Sequence, residues 1–385
     1  MPQKILYLVS EDWYFLSHRL PMARAAKAAG YDVHVATRVG DDGEAIKREG
    51  FALHPIRWRR GSLNPLRFVA AIVETRRLYR QLRPDLVHHV ALVPSVIGSI
   101  AALGLPMPRL NALAGLGFVF TSKTPKALIA RRIAKPMLAW LLRRPSGTVL
   151  VQNPDDRAMM ETLGIPPRQI TLIPGSGVDV DLLTPLPEPG PPFTVGFVGR
   201  LLSDKGVQTL VRAHEILSAR GLSVRVLLAG DPDPSNPAAI PAQTLENWQR
   251  QPNLVLLGHV DDVRRVWAQA HVAVLPSRRE GLPKSLLEAA ACGRPLIATD
   301  VPGCREIARN GVDGLLVAAD NPQALADAIE TLMRDRDLRL RYGQAARDIV
   351  TREFSSARIG TEIVSLYAKL LAAAPAAGHE PWKAR

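Results

Sequence analysis

Residues Val274–Gly303 read VLPSRREGLPKSLLEAAACGRPLIATDVPG. An apolar run, Val272–Leu275, leads into this stretch with the uniform hydrophobicity of a buried parallel strand. A polar turn follows at Pro276–Pro283, then a helix over Ser285–Cys292, and a second short apolar strand at Pro295–Thr299 closes the unit. Strand, turn, helix and strand within about 30 residues make a βαβ element. Ligands of open parallel sheets sit at the carboxyl ends of their strands. Here that end carries Ser277, Glu280, Gly281 and the amides that open the helix, with Glu288 eight residues beyond Glu280.

Amides at a helix N-terminus attract phosphate. A carboxylate beside them repels it, unless the carboxylate binds something else. Sugar hydroxyls fit, because a carboxylate accepts their hydrogen bonds. The plain alternative is a capped helix with two solvated glutamates.

Outward from this stretch, the sequence repeats the same alternation. GFVGRLLSDKG, Gly196–Gly206, ends a strand at Gly199 and places Arg200 and Lys205 around a turn into a helix. Two cations beside a helix N-terminus suit a diphosphate whose departing charge must be neutralised. A surface turn that happens to carry them is the competing reading.

The N-terminal half alternates as well. Strands are expected at Lys4–Val9, Asp32–Thr37, Ala52–Ile56 and Leu86–His89, with Ser17 capping a helix that runs to Ala29. A basic helix spans Leu66–Leu82, a buried helix Pro94–Leu103, and Asn153-Pro154 caps and starts another. The Pro- and Gly-rich stretch Pro174–Pro192 interrupts the pattern, which restarts at Phe193. The expected organisation is α/β: two doubly wound, Rossmann-like parallel-sheet domains facing across a cleft. Their bounds are 1–175 and 193–355, joined by a linker at 176–192. A helix at 356–372 crosses back to the first domain, and 373–385 is a tail.

The chain has 385 residues, enough for two cores. Cys292 and Cys304 provide neither a disulfide framework nor metal-ligand spacing, which points to a reducing compartment. The opening MPQKILYLVSEDW reads as a strand and not a signal peptide. Leu86–Leu110 lacks formal charge until Arg109, but its two histidines and three prolines suit a strand, a turn and a buried helix better than a membrane span. The net charge of +13 is uneven: Arg57–Arg144 holds sixteen Lys or Arg against Glu74 and Asp85, so this region carries the whole excess. Leu66–Leu82 and 125–144, the latter with Lys126, Arg131, Arg132, Lys135, Arg143 and Arg144 beside Trp140, have the composition of helices lying on an anionic bilayer. No nucleic-acid-binding module is recognisable.

The Glu280–Glu288 stretch closely resembles the Glu-x7-Glu signature of the retaining glycosyltransferases of family 4, which have the two-domain GT-B fold. The resemblance implies that Arg200 and Lys205 grip the donor's diphosphate, that Glu280 contacts the transferred sugar and that Glu288 holds the ribose. Ser277 and the amides of Gly281 and Leu282 support phosphate, next to the strand end at Gly199. The GHVDD segment, Gly258–Asp262, with Val260 at its centre, matches the loop that reads the base. LIPGSGVDVDLLTP, Leu172–Pro185, resembles the hinge segment.

SEDWYFLSHRLPMA, Ser10–Ala23, resembles the opening loop and helix of a subgroup acting on lipid-linked polysaccharide or lipopolysaccharide intermediates. Where many relatives have a Gly-Gly turn, this chain has Phe15-Leu16-Ser17-His18, so Ser17 and the following amides take that place on the acceptor side. Many relatives also have a His near the strand at Asn111, where this chain has Ala114. His88 and His89 are alternative imidazoles, each weighed against a structural role.

The resemblance thus implies a hexosyl- or N-acetylhexosaminyltransferase that moves sugar from a UDP-sugar to a lipid-linked glycan with retention. It would work peripherally at the cytoplasmic membrane face, with no cofactor and with cations in place of a metal. A soluble-acceptor transferase, a GT-B-type nucleotide-sugar epimerase and a non-catalytic nucleotide-sugar binder are the competing readings.

Overall fold

The computed structural model describes residues 1–58, 64–113, 135–234 and 236–373. The chain forms two compact units, one of Met1–Ser176 with Ser356–Arg385, the other of Gly177–Ser355.

The first unit is built on seven parallel strands in the order β3-β2-β1-β4-β5-β6-β7. They are β1 (Lys4–Glu11), β2 (Asp32–Arg38), β3 (Ala52–Pro55), β4 (Leu86–Val90), β5 (Arg109–Ala112), β6 (Gly147–Val151) and β7 (Ile170–Leu172). The side-chain period of two sends alternate residues of β1 into different layers. Ile5, Tyr7 and Val9 join a cluster with Met22, Ala23 and Ala26 of the Leu20–Ala28 helix, whereas Leu6 and Leu8 join one with Ala71 and Tyr79 of the Pro65–Leu82 helix. Helices therefore cover both faces, the condition under which a parallel sheet is stable. The helix Ser356–Ala373 closes the first of these layers, burying Ile359, Ile363 and Tyr367 beside Met22 and Ala26.

The second unit has six parallel strands in the order β10-β9-β8-β11-β12-β13. These are β8 (Thr194–Val198), β9 (Arg225–Ala229), β10 (Leu254–Gly258), β11 (Val272–Leu275), β12 (Leu296–Thr299) and β13 (Gly314–Val317). Both sheets reverse their winding once, between β1 and β4 in the first and between β8 and β11 in the second. The crevice outside such a switch point is where doubly wound folds bind ligands.

Leu86–Leu110 forms β4, the Leu92–Ala101 helix and the start of β5, and no helix among the described residues is long and apolar enough to cross a membrane. The Pro- and Gly-rich segment is fastened to the second unit. Val178 donates to the Phe354 carbonyl at 2.9 Å and Leu186 to that of Cys292 at 3.1 Å. The Arg347 guanidinium donates to the carbonyls of Val180, Leu183 and Ala291.

Ser17 does not cap a helix. The chain passes from β1 straight into the Asp12–His18 helix, which puts Ser17 in its last turn, and the next helix starts at Leu20 after Arg19. Its Oγ lies 2.5 Å from His18 Nδ1. The Asn153 cap does form, its side-chain oxygen accepting the Asp156 amide at 2.8 Å.

Candidate functional site

Two turns at the second unit's switch point carry the charged groups. After β8 the chain runs through Arg200, buries Leu201 and Leu202, and makes a 3-10 turn at Ser203–Lys205. Gly206 then has φ +70, and a Cβ there would lie 1.9 Å from the Pro276 carbonyl oxygen. Only glycine allows this backbone to press against the loop after β11. The Arg278 amide seals the junction by donating to the Asp204 carbonyl at 2.9 Å.

The loop after β11 holds the carboxylate. Lys205 Nζ donates to Glu280 Oε1 at 2.6 Å, and the fully buried Ser277 donates to the same oxygen at 2.7 Å. Ser277 is itself held through its carbonyl, which accepts the Thr299 hydroxyl from the end of β12. Gly303, at φ +81, provides a third close approach: a Cβ would sit 2.4 Å from the Gly281 carbonyl oxygen. Two donors thus fix Glu280 Oε1, while Oε2 has no hydrogen-bond partner among the described residues.

Arg200 makes its contact elsewhere in the same unit. Its Nη1 donates to Asp233 Oδ2 at 2.7 Å, a carboxylate from the Pro-rich loop after β9 that sequence reasoning passed over. Glu288, on the Lys284–Ala291 helix, is buried and lies 3.3 Å from Lys284 Nζ one turn earlier. Burial pushes its carboxyl upward, against the pull of Lys284. Gly281 and Leu282 precede the Pro283 N-cap, which has no side-chain cap. Gly258 ends β10, and Val260 packs half-buried against the second unit's core. Among the described residues no group of three His, Cys, Asp or Glu is placed to hold a metal ion. Cys292 and Cys304 are free and buried.

In the first unit the two candidate imidazoles are core residues. His88 and His89 are fully buried on β4, pointing to opposite faces as neighbours on a strand must. His89 Nδ1 lies 2.8 Å from Asn111 Oδ1 and its Nε2 2.9 Å from the Tyr79 hydroxyl. Burial lowers its pKa to about 4, so the ring is neutral, donating to Asn111 and accepting from Tyr79. The Asn111 oxygen also accepts the Ser99 hydroxyl at 3.0 Å. His88 Nδ1 meets the Tyr367 hydroxyl at 2.6 Å, and Tyr367 continues to the Tyr7 hydroxyl at 2.7 Å. Burial holds His88 well below the ordinary imidazole range. His88, His89 and Asn111 therefore knit helices to the sheet; none is exposed to a substrate. His18 stacks on Tyr14, with ring centroids 4.3 Å apart.

Ala114 and residues 125–134 of the basic segment lie outside the described residues. Residues 135–142 are helical, with Trp140 half exposed and the Arg144 guanidinium 4.0 Å from its ring centre. On the Pro65–Leu82 helix, Leu66, Val69 and Val73 are all exposed and recur at the spacing of one helical face.

Residues 4–153 match the model for glycosyl transferase 4-like domains, and residues 192–335 match that for glycosyl transferases group 1. Over 380 residues the chain is 24% identical to an N,N'-diacetylbacillosaminyl-diphospho-undecaprenol alpha-1,3-N-acetylgalactosaminyltransferase of Campylobacter jejuni, covering 93% of this chain and 98% of that protein. It is 34% identical to the capsular polysaccharide biosynthesis glycosyltransferase CapM of Staphylococcus aureus over 46% of each chain. The crystal structure of Anabaena Alr3699/HepE in complex with UDP superposes with a TM-score of 0.77 at 19% identity, covering 95% of this chain and 100% of that one. One matched domain falls on each parallel-sheet unit, and the chain belongs to the family 4 glycosyltransferases of the GT-B fold.

Proposed function

We propose that this glycosyltransferase transfers a sugar from a UDP-sugar to a lipid-linked glycan, with retention of anomeric configuration, at the cytoplasmic face of the membrane. The observation that carries the donor reading is the closure of Lys205, Ser277 and Glu280 on one another at the second unit's switch point. A cation and an oriented carboxylate, held by backbone contacts before any ligand arrives, are what electrostatic catalysis of a diphosphate departure requires. Lys205 and Arg200 neutralise the leaving diphosphate, with Arg200 exchanging Asp233 for phosphate oxygens. Glu280 turns Oε2 to a hydroxyl of the transferred sugar, and Glu288 exchanges Lys284 for the ribose. UDP in the Anabaena structure and the diphospho-undecaprenol substrate of the Campylobacter relative favour these classes of donor and acceptor.

The membrane reading rests on the Pro65–Leu82 helix, where Leu66, Val69 and Val73 stand exposed among Arg67, Arg77 and Arg80. Such a face inserts shallowly into an anionic bilayer. Trp140, with Arg144 over its ring, adds an amphipathic group of the kind found at interfaces.

UDP should raise the melting temperature, and the preferred UDP-sugar should be consumed only when a lipid-linked acceptor is present. Conversion to a second UDP-sugar without acceptor and without release of UDP would mean isomerase chemistry instead. Vesicles of phosphatidylglycerol should bind the protein, and binding should weaken as salt rises from 0.05 to 0.5 M, about a threefold shortening of the screening length. Equal binding to neutral vesicles, or none to anionic ones, removes the membrane reading and leaves the donor reading intact.

A further inference from the structure

Arg19, between the Asp12–His18 and Leu20–Ala28 helices, enters no ion pair among the described residues and packs beside Leu113, Gln152 and Ile173, the first residues beyond β5, β6 and β7. At 2% exposure it is walled in at the carboxyl edge of the first sheet, and no solute reaches it. The opposite edge of the same sheet is open. Arg144 stands there: its carbonyl accepts the amide of Gly147 at 2.8 Å, and Gly147 opens β6. Arg109, which opens β5, is the register partner of Gly147.

Arg144 is half-buried and lines a groove of about 430 Å³ with Pro136, Ala139, Trp140, Arg143 and Pro145. That volume is in the range of small-ligand sites. The Arg144 guanidinium lies over the Trp140 ring, and contact with a π-face takes up none of its N–H groups. Its side chain makes no hydrogen bond or ion pair among the described residues. Trp140 is 50% exposed and Met137, one turn earlier, is 44% exposed, so an apolar shelf faces solvent beside the cation.

The positive charge at this edge has no counter-charge close by in the sequence. From Leu86 to Pro154 the chain has eight Lys or Arg and no Asp or Glu. Burial and the nearness of Arg144 both act against the charge on Arg109, as expected where guanidinium groups crowd together without an acid. Arg143 adds an exposed cation whose Nη2 is tied to the Leu163 carbonyl at 2.7 Å. Guanidinium groups match phosphate oxygens. An exposed indole and thioether beside them match the carbon skeleton to which a lipid phosphate is joined.

We infer that this groove is a headgroup site for an anionic phospholipid, with Arg143 and Arg144 on the phosphate and Met137 and Trp140 against the glycerol and acyl carbons. The inference rests on the membrane reading above and deepens it, naming the lipid group that is recognised and the residues that recognise it. The groove lies away from the carboxyl edge, from which open sheets bind their reactants. Adsorption through the Pro65–Leu82 helix alone would need no such groove.

The test uses the full chain and dihexanoyl phosphatidylglycerol held below its micelle-forming concentration. Titrated calorimetrically, this lipid should bind the wild type and bind Arg144→Gln about 10- to 100-fold more weakly, the loss expected for a charged hydrogen bond. Trp140→Ala should bind it about 3- to 10-fold more weakly. Val69→Asp, on the Pro65–Leu82 helix, should weaken binding to phosphatidylglycerol vesicles and leave monomer binding unchanged. Inorganic phosphate at about tenfold excess should fail to displace the lipid, because it makes no use of the apolar shelf. Arg144→Gln should melt no lower than the wild type, since it relieves Arg109; should it melt lower, the half-exposed Trp140→Ala decides. Equal monomer binding by the wild type and both groove variants would overturn the site. Displacement by inorganic phosphate would overturn the lipid assignment in favour of a free anion. A wild type that binds vesicles but not the monomer removes this inference alone, and one that binds neither removes the membrane reading with it.

Discussion

The carboxyl edges of the two sheets are organised in opposite ways. In the second unit the charges after β8 and β11 are already paired, Lys205 with Glu280 and Arg200 with Asp233, and glycine contacts hold the turns together. In the first unit the edge keeps a buried guanidinium without an anion, and its histidines are sealed into the core as neutral rings. A ligand of the second unit must displace protein partners, exchanging one set of charge contacts for another.

The largest effect that could break this contrast is on turnover. Lys205→Ala and Glu280→Ala should each lower kcat about 10²- to 10³-fold, and the double variant should be little worse than either, because the two groups act as one unit. Circular dichroism should show both folded. A near-wild-type rate in either single variant means the pair is structural, and the contrast fails.

A smaller effect sharpens the claim that contact, and not merely backbone conformation, fixes the second unit's turns. Gly206→Ala should destabilise by about 3 kcal/mol or more in urea unfolding, because its Cβ meets backbone. Gly104 has the same positive φ, +74, but open space around it, and Gly104→Ala should cost only about 1 kcal/mol. Equal costs would mean that the close approach to Pro276 is unimportant.

The smallest effect concerns a second burdened group in the first unit. Asp156 follows β6, and burial raises its pKa to about 6, with Asn153 pulling it down. The folded state therefore holds this proton more tightly than the unfolded chain, and the stabilisation it gives at low pH is lost as pH rises from about 4 through 6. Asp156→Asn should accordingly leave stability unchanged near pH 4 and raise it by about 1–2 kcal/mol at pH 8. A variant less stable at pH 8 would show that the carboxylate is compensated after all.

These differences explain what could be read from the residues alone. The βαβ element at Val272–Thr299 was legible because its period and punctuation are local. The meeting of Lys205 with Glu280 was legible because each follows a strand beside the switch point, β8 and β11, in the same strand–turn–helix pattern. Asp233 escaped notice because it meets Arg200 across 33 positions from a loop with no periodicity. The Ser17 cap failed because helix and strand are joined with no intervening turn, which a propensity argument does not anticipate. His88 and His89 looked like strand-end groups, yet helices cover both faces of β4, so each ring is enclosed whichever way it points. Arg19 left no pattern at all: it stands out by what it lacks, and a missing partner is visible only in three dimensions.

The Tyr7–Tyr367–His88 chain joins a residue near the start of the polypeptide to one near its end, and the first unit is assembled from both. During synthesis, residues 177–355 emerge complete while β1 and β4 still await the helix that covers them. The half that starts first is finished last, so a released chain that ends at Ser355 should carry a folded second unit and a first unit with an exposed greasy flank, which is where a chaperone would bind.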